Sequence, residues 1–103
     1  MLKEVNAAEF KAEVGTGLVL ADFFSATCGP CKMLAFVLKD VEKAYGDALK
    51  ILKVNFDENK DLTAEYGVTG YPTMILLKDG EELKRMSGLQ QKTAILKMID
   101  EFK

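Results

Sequence analysis

The run Leu18-Val19-Leu20-Ala21-Asp22-Phe23-Phe24, bounded by Gly17 and Ser25, is apolar on both of its alternating faces. A strand of this kind is stable only when both faces are covered, which places it inside a sheet with helices above and below. A helical pattern follows almost at once. Leu34, Val37, Leu38, Val41, Ala44 and Tyr45 fall on one face, and Gly46 stops the helix. A strand that hands over directly to an amphipathic helix begins a strand–helix–strand unit, and such units build a parallel core.

The flanking segments complete the pattern. Asn6 followed by Glu9 predicts the start of a first helix with a capping box, closed by Gly15 and Gly17. A short strand is expected near Val5. Ile51 to Phe56 reads as a strand, Asp61 to Tyr66 as a short helix ending at Gly67, and Thr73 to Leu77 as a further strand. Asp79-Gly80 is a hairpin signal, and its partner strand, Glu82 to Met86, has the charge of an edge. Ala94, Ile95, Met98, Ile99 and Phe102 line one face of a last helix. The prediction is an α/β fold: a mixed central β-sheet flanked by helices on both faces, with residues 1–103 forming a single domain.

Composition restricts the chemistry. The chain has no histidine and only two cysteines, Cys28 and Cys31. Ser-His-Asp, Cys-His and His-ligated metal mechanisms are excluded, as is a multi-bridge secreted scaffold. Net charge is −2 with Lys and Arg dispersed, so no footprint for nucleic acid or for an anionic membrane is present. The first residues lack the apolar core of a signal peptide, and the apolar runs are too short to span a bilayer. Cytoplasmic residence and a monomeric state are the expectations.

Cys28-Gly29-Pro30-Cys31 lies where the central strand meets the helix. Residues three apart on a helix have Cβ atoms roughly 5–6 Å apart, and a disulfide needs roughly 3.5–4.5 Å, so a small adjustment bridges the pair. Free N–H groups and the positive end of the helix dipole stabilise a thiolate at Cys28, and Lys32 adds positive charge. Pro30 suits the first helical turn, where its missing N–H costs nothing, and Gly29 admits the backbone of another chain. A thiolate at Cys28 would attack a substrate disulfide, and Cys31 would resolve the mixed disulfide in a fast intramolecular step. The redox group is then the cysteine pair itself, with no cofactor and no metal. Three other readings of the pair stay open at this point: a structural disulfide, a metal or iron–sulfur cluster shared by two chains, and a module that uses the site only for docking.

Asp22 is conspicuous on its own. A carboxyl group inside an apolar strand is costly unless neutral or paired, and burial raises its pKa toward a range useful to a proton carrier. Lys53, inside the next strand, is a candidate partner, and a structural ion pair would explain both residues equally well.

The stretch from Leu20 through Cys28-Gly29-Pro30-Cys31 to Met33 resembles the active-site segment of thioredoxins. Lys53-Val54-Asn55-Phe56-Asp57, Gly67-Val68-Thr69-Gly70-Tyr71-Pro72-Thr73 and Lys78-Asp79-Gly80-Glu81 match further landmarks of that family in order. The resemblance covers nearly the whole chain and implies the thioredoxin fold. It implies a thiol–disulfide oxidoreductase that reduces protein disulfides and is recycled by a thioredoxin reductase. It assigns Asp22 the removal of the proton from Cys31, and a cis bond to Tyr71–Pro72. Thr27, Gly29, Pro30, Gly70, Tyr71, Pro72 and Gly88 become the substrate-binding surface, although a simple turn accounts for Gly88 as well. Met33 borders the site, while Met74, Met98, Phe56 and Phe102 are assigned to the core.

The sequence also departs from the family. Thr27 stands where thioredoxins usually carry tryptophan, Phe24 replaces a second tryptophan, and Tyr71 replaces an aliphatic residue. Phe36 occupies the place of a helix-kinking proline, so a straighter second helix is expected. Reducing rather than oxidising chemistry is expected from Gly29-Pro30 between the cysteines.

Overall fold

The computed structural model describes residues 1–103. Its elements are β1 (Leu2–Glu4), α1 (Ala7–Val14), β2 (Leu18–Phe24), α2 (Gly29–Tyr45), β3 (Lys50–Asn55), α3 (Lys60–Glu65), β4 (Thr73–Lys78), β5 (Glu81–Ser87) and α4 (Lys92–Phe102). The strands form one sheet in the order β1-β3-β2-β4-β5. β1 and β2 run parallel to β3, whereas β4 is antiparallel to both β2 and β5. This is the expected mixed sheet. The boundaries of β3 and α3 each lie one residue before the predicted ones, and β5 is longer by one residue at each end.

Two apolar layers follow from strand alternation. Val19, Ala21 and Phe23 of β2 pack with Phe10 and Val14 of α1, Leu62 of α3, and Leu52 and Val54 of β3. Leu20, on the opposite face of β2, packs with Leu34, Leu38 and Val41 of α2 and with Ile95, Met98 and Ile99 of α4. The helices therefore cover both faces, as a doubly apolar central strand demands. Met74 and Met98 are core residues; Phe56 and Phe102 are only partly buried and lie against it.

Local chemistry fixes the connections. Asn6 accepts from the Glu9 amide at 2.9 Å while the Glu9 carboxylate accepts from the Asn6 amide at 3.0 Å, which completes the capping box of α1. Asp79 and Gly80 have φ of 51° and 87°, the two left-handed residues that a tight hairpin between twisted strands requires. The Asp79 carboxylate also accepts from the Gly17 amide at 2.8 Å, tying this hairpin to the entrance of β2. Helix α2 runs unbroken through Phe36.

The sheet gathers four connections at one end. The loop after β2 carries the cysteines, and the loop after β3 carries Phe56 and Asp57. Gly70-Tyr71-Pro72 precedes β4, whose first residue Thr73 pairs with Phe23. Gly88 follows β5, and its amide donates to the Pro72 carbonyl at 2.8 Å. Segments far apart in sequence thus converge on one edge of the molecule.

Candidate redox site

Cys28 is the N-cap of α2 and has extended backbone, with φ −91° and ψ 115°. Its Sγ accepts the Cys31 amide at 3.1 Å, the position that an N-cap side chain normally takes toward the third helical residue. Pro30 sits in the first turn, where no amide partner is lost. Cys28 and Cys31 are joined as a disulfide, with Cα atoms 5.2 Å apart. Both are mostly buried, Cys28 at 8% exposure and Cys31 at 3%. Gly29 and Pro30 between them are exposed, so the loop projects while its sulfurs stay shielded.

A small cavity of about 170 Å³ opens beside the second cysteine, lined by Phe24, Ser25, Ala26, Cys31, Lys32, Ala35 and Lys53. It reaches Cys31 and not Cys28. The two sulfurs therefore have different surroundings, one at a helix N-terminus and one against a recess that contains a lysine.

Asp22 is completely buried in β2, and neither carboxyl oxygen has a hydrogen-bond partner. Burial pushes its pKa up to about 7, and the positive charge of Lys53 pulls the other way without cancelling the effect. Asp22 and Lys53 are register neighbours on adjacent parallel strands. They form no ion pair. The ammonium of Lys53 lies 4.8 Å from the centre of the Phe24 ring, on the face of an aromatic that attracts a cation while the lysine stem stays half-buried. The direct pairing considered for these residues is absent because the half-buried lysine stacks on Phe24 instead, and its charge acts on Asp22 from a distance.

The Tyr71–Pro72 peptide bond is cis. Tyr71 is 45% exposed, and its ring meets Phe56 edge-on at 5.2 Å between centroids. Phe56 and Tyr71 thus build an aromatic ledge at the same end of the sheet as the cysteines. Gly70 has open space around its α-carbon, and the Thr73 hydroxyl donates to its carbonyl at 2.8 Å. Gly88 also has open space, but its φ of 82° is by itself a reason for glycine in a turn. Thr27 is exposed, and so are Met33 and Phe36 on α2. Ser25 and Asp57, which were not among the residues anticipated from sequence, are hydrogen-bonded to one another at 2.9 Å, joining the cysteine loop to the loop after β3.

A model of the thioredoxin family, described as Thioredoxin, matches residues 1–101. The chain belongs to the thioredoxin family. The thioredoxin of Bacillus subtilis is 44% identical over 91 residues, covering 88% of each chain. That of Chlamydia caviae is 45% identical over 101 residues and covers 98% of each. A mutant thioredoxin from Halobacterium salinarum superimposes with a TM-score of 0.87 at 33% identity, over 98% of this chain and 89% of the other. With a bridged Cys-Gly-Pro-Cys pair in a thioredoxin fold, the protein is a thiol–disulfide oxidoreductase acting on protein disulfides. No helix is long and apolar enough to cross a membrane.

Proposed function

We propose that Cys28 is the attacking cysteine, Cys31 the resolving one, and that the protein runs as a reductant of cytoplasmic protein disulfides recycled by a thioredoxin reductase. The observation that carries this reading is the asymmetry of the pair. Cys28 is the more exposed of the two residues and its Sγ accepts an amide at the start of α2, while Cys31 lies deeper beside the recess that Lys53 also lines.

The amide that donates to Cys28 Sγ, together with the helix dipole, lowers the energy of a thiolate there, and the thiolate is the nucleophile of disulfide exchange. Cys28 Sγ attacks one sulfur of the substrate disulfide. A new bond joins Cys28 to that sulfur, the substrate bond breaks, and the other substrate sulfur leaves as a thiolate that takes up a proton. Cys31 then gives up its proton and attacks Cys28 Sγ. The Cys28–Cys31 bond forms, the mixed disulfide breaks, and the substrate departs with two electrons gained, leaving this chain oxidised. Asp22 is the acceptor of the Cys31 proton in this reading. With its pKa near 7, it is ready to take or return a proton at neutral pH.

Tyr71 and Pro72, at the same sheet end, are proposed to hold an extended substrate segment by strand-like backbone pairing, with Gly29, Pro30, Gly70, Thr27 and Gly88 leaving room for it. The direction of electron flow is tested by equilibrating the protein with glutathione buffers, alkylating free thiols and weighing the products. A disulfide that resists the glutathione pool supports the reductant. One reduced easily by it overturns that direction in favour of an oxidant or isomerase.

A further inference from the structure

The Ser25-Ala26-Thr27-Cys28 segment is a tight turn, closed by the Cys28 amide donating to the Ser25 carbonyl at 3.3 Å. Ser25 is 2% exposed, although it belongs to a loop. Its hydroxyl donates to the Asp57 carboxylate at 2.9 Å and lies 3.4 Å from the Thr27 hydroxyl. Because the Ser25 proton is committed to the carboxylate, Thr27 is left as the donor in the second contact.

Asp57 is itself held in place. The Asn55 side chain, nearly buried, accepts from the amides of Asp57 at 3.0 Å and Glu58 at 3.1 Å. The Phe56 amide donates to the Phe24 carbonyl at 2.7 Å, continuing the β2–β3 pairing into the loop. The carboxylate is thus anchored to β3 and reaches across to the turn that carries the cysteine. Thr27 immediately precedes Cys28 and its hydroxyl meets that of Ser25, so the residue before the cysteine is linked through Ser25 to a carboxylate fixed by the sheet.

We infer that Ser25 and Asp57 are positioning residues for Cys28, a brace from β3 that holds its Sγ against the Cys31 amide. The inference rests on Cys28 being the attacking cysteine. A thiolate gains most from an amide when its position is fixed; a turn free to rock would lose that contact part of the time. Lys32 and Lys53, which line the recess beside Cys31, and Asp22 in β2 keep their charges in every variant of the brace, and the Asp57 charge is lost equally in its alanine and asparagine variants.

The test compares Ser25→Ala, Asp57→Ala and Asp57→Asn in the reduced full-length protein. The rate of iodoacetamide alkylation at pH 7 is followed by mass, with peptide mapping to assign the cysteine. Losing one hydrogen bond of this kind should slow alkylation of Cys28 about fivefold in Ser25→Ala and Asp57→Ala. Asp57→Asn keeps an oxygen that accepts from Ser25, and it should restore most of the rate lost in Asp57→Ala. The midpoint of alkylation against pH should rise in the two alanine variants and return toward wild type in Asp57→Asn.

Wild-type rates in both alanine variants would overturn the brace. So would an Asp57→Asn variant as slow as Asp57→Ala, because an oxygen accepting from Ser25 would then not be what sets the rate, and loss of the Asp57 charge by itself favours a thiolate. Should Ser25→Ala fail to fold, the Asp57 pair decides alone, since that side chain lies at the surface. Mapping separates the two layers of the argument: alkylation that starts at Cys31 defeats the assignment of the attacking cysteine, whereas a brace without effect on a reactive Cys28 defeats only this inference.

Discussion

Replacing Asp22 by asparagine should make the protein progressively more stable than wild type as pH rises. The carboxyl is fully buried, with no partner for either oxygen. Its pKa is pushed from an ordinary 3.8 to about 7. The folded chain therefore holds the proton more tightly than the unfolded chain does. The contribution of this proton is fully present below about pH 4, shrinks as pH climbs to about 7, and is gone above that. A gap of about 3 pH units corresponds to about 4 kcal/mol. Asparagine is neutral throughout, so it escapes this loss. Urea unfolding of the oxidised proteins, with no thiol to titrate, measures the effect. Between about pH 5 and pH 9 the stability advantage of Asp22→Asn over wild type should grow by about 3 kcal/mol, with other carboxyl groups cancelling in the difference. A difference that stays constant with pH would mean that Asp22 titrates like a solvated carboxyl, and the argument from its burial would fail. In the reduced protein the same variant should release reduced substrate more slowly near neutral pH, and a release rate equal to wild type would remove Asp22 from the proton path.

Two further substitutions probe the scaffold that carries the site. Leu76→Ala opens a cavity where β4 packs on α2 and α4, at a position with no exposed surface; a loss of about 2–5 kcal/mol is expected in urea unfolding. Gly80→Ala meets no steric obstacle nearer than 3.8 Å, but its φ of 87° is one that side chains avoid. Thermal unfolding should show a loss of about 1 kcal/mol or more, carried by backbone conformation alone.

Much of this protein was legible in its sequence because several signals are local. The doubly apolar run of β2, the Asn6–Glu9 capping box, the Asp79-Gly80 turn and the stripe on α2 each state their structure within a few residues. The cysteine pair was legible for the same reason. Long-range contacts were not. Ser25 and Asp57 are 32 residues apart, and nothing in either segment announces their hydrogen bond. The absence of an Asp22–Lys53 ion pair was likewise hidden. Strand register puts the two side by side, but the choice of Lys53 between a carboxylate and the Phe24 ring depends on where a flexible side chain finds water. The aromatic ledge of Phe56 and Tyr71 has a comparable origin, since it needs the loops after β3 and before β4 to meet.

The most direct test of the central claim is to trap the reaction halfway. Cys31→Ser lets Cys28 attack a substrate disulfide but removes the sulfur that would resolve it. Incubated with a disulfide-bonded protein and analysed by mass without reductant, this variant should accumulate a mixed disulfide mapped to Cys28, while Cys28→Ser should accumulate far less. Equal trapping by both variants, or trapping chiefly through Cys31 in Cys28→Ser, would contradict the assignment of attack to the cysteine at the N-terminus of α2.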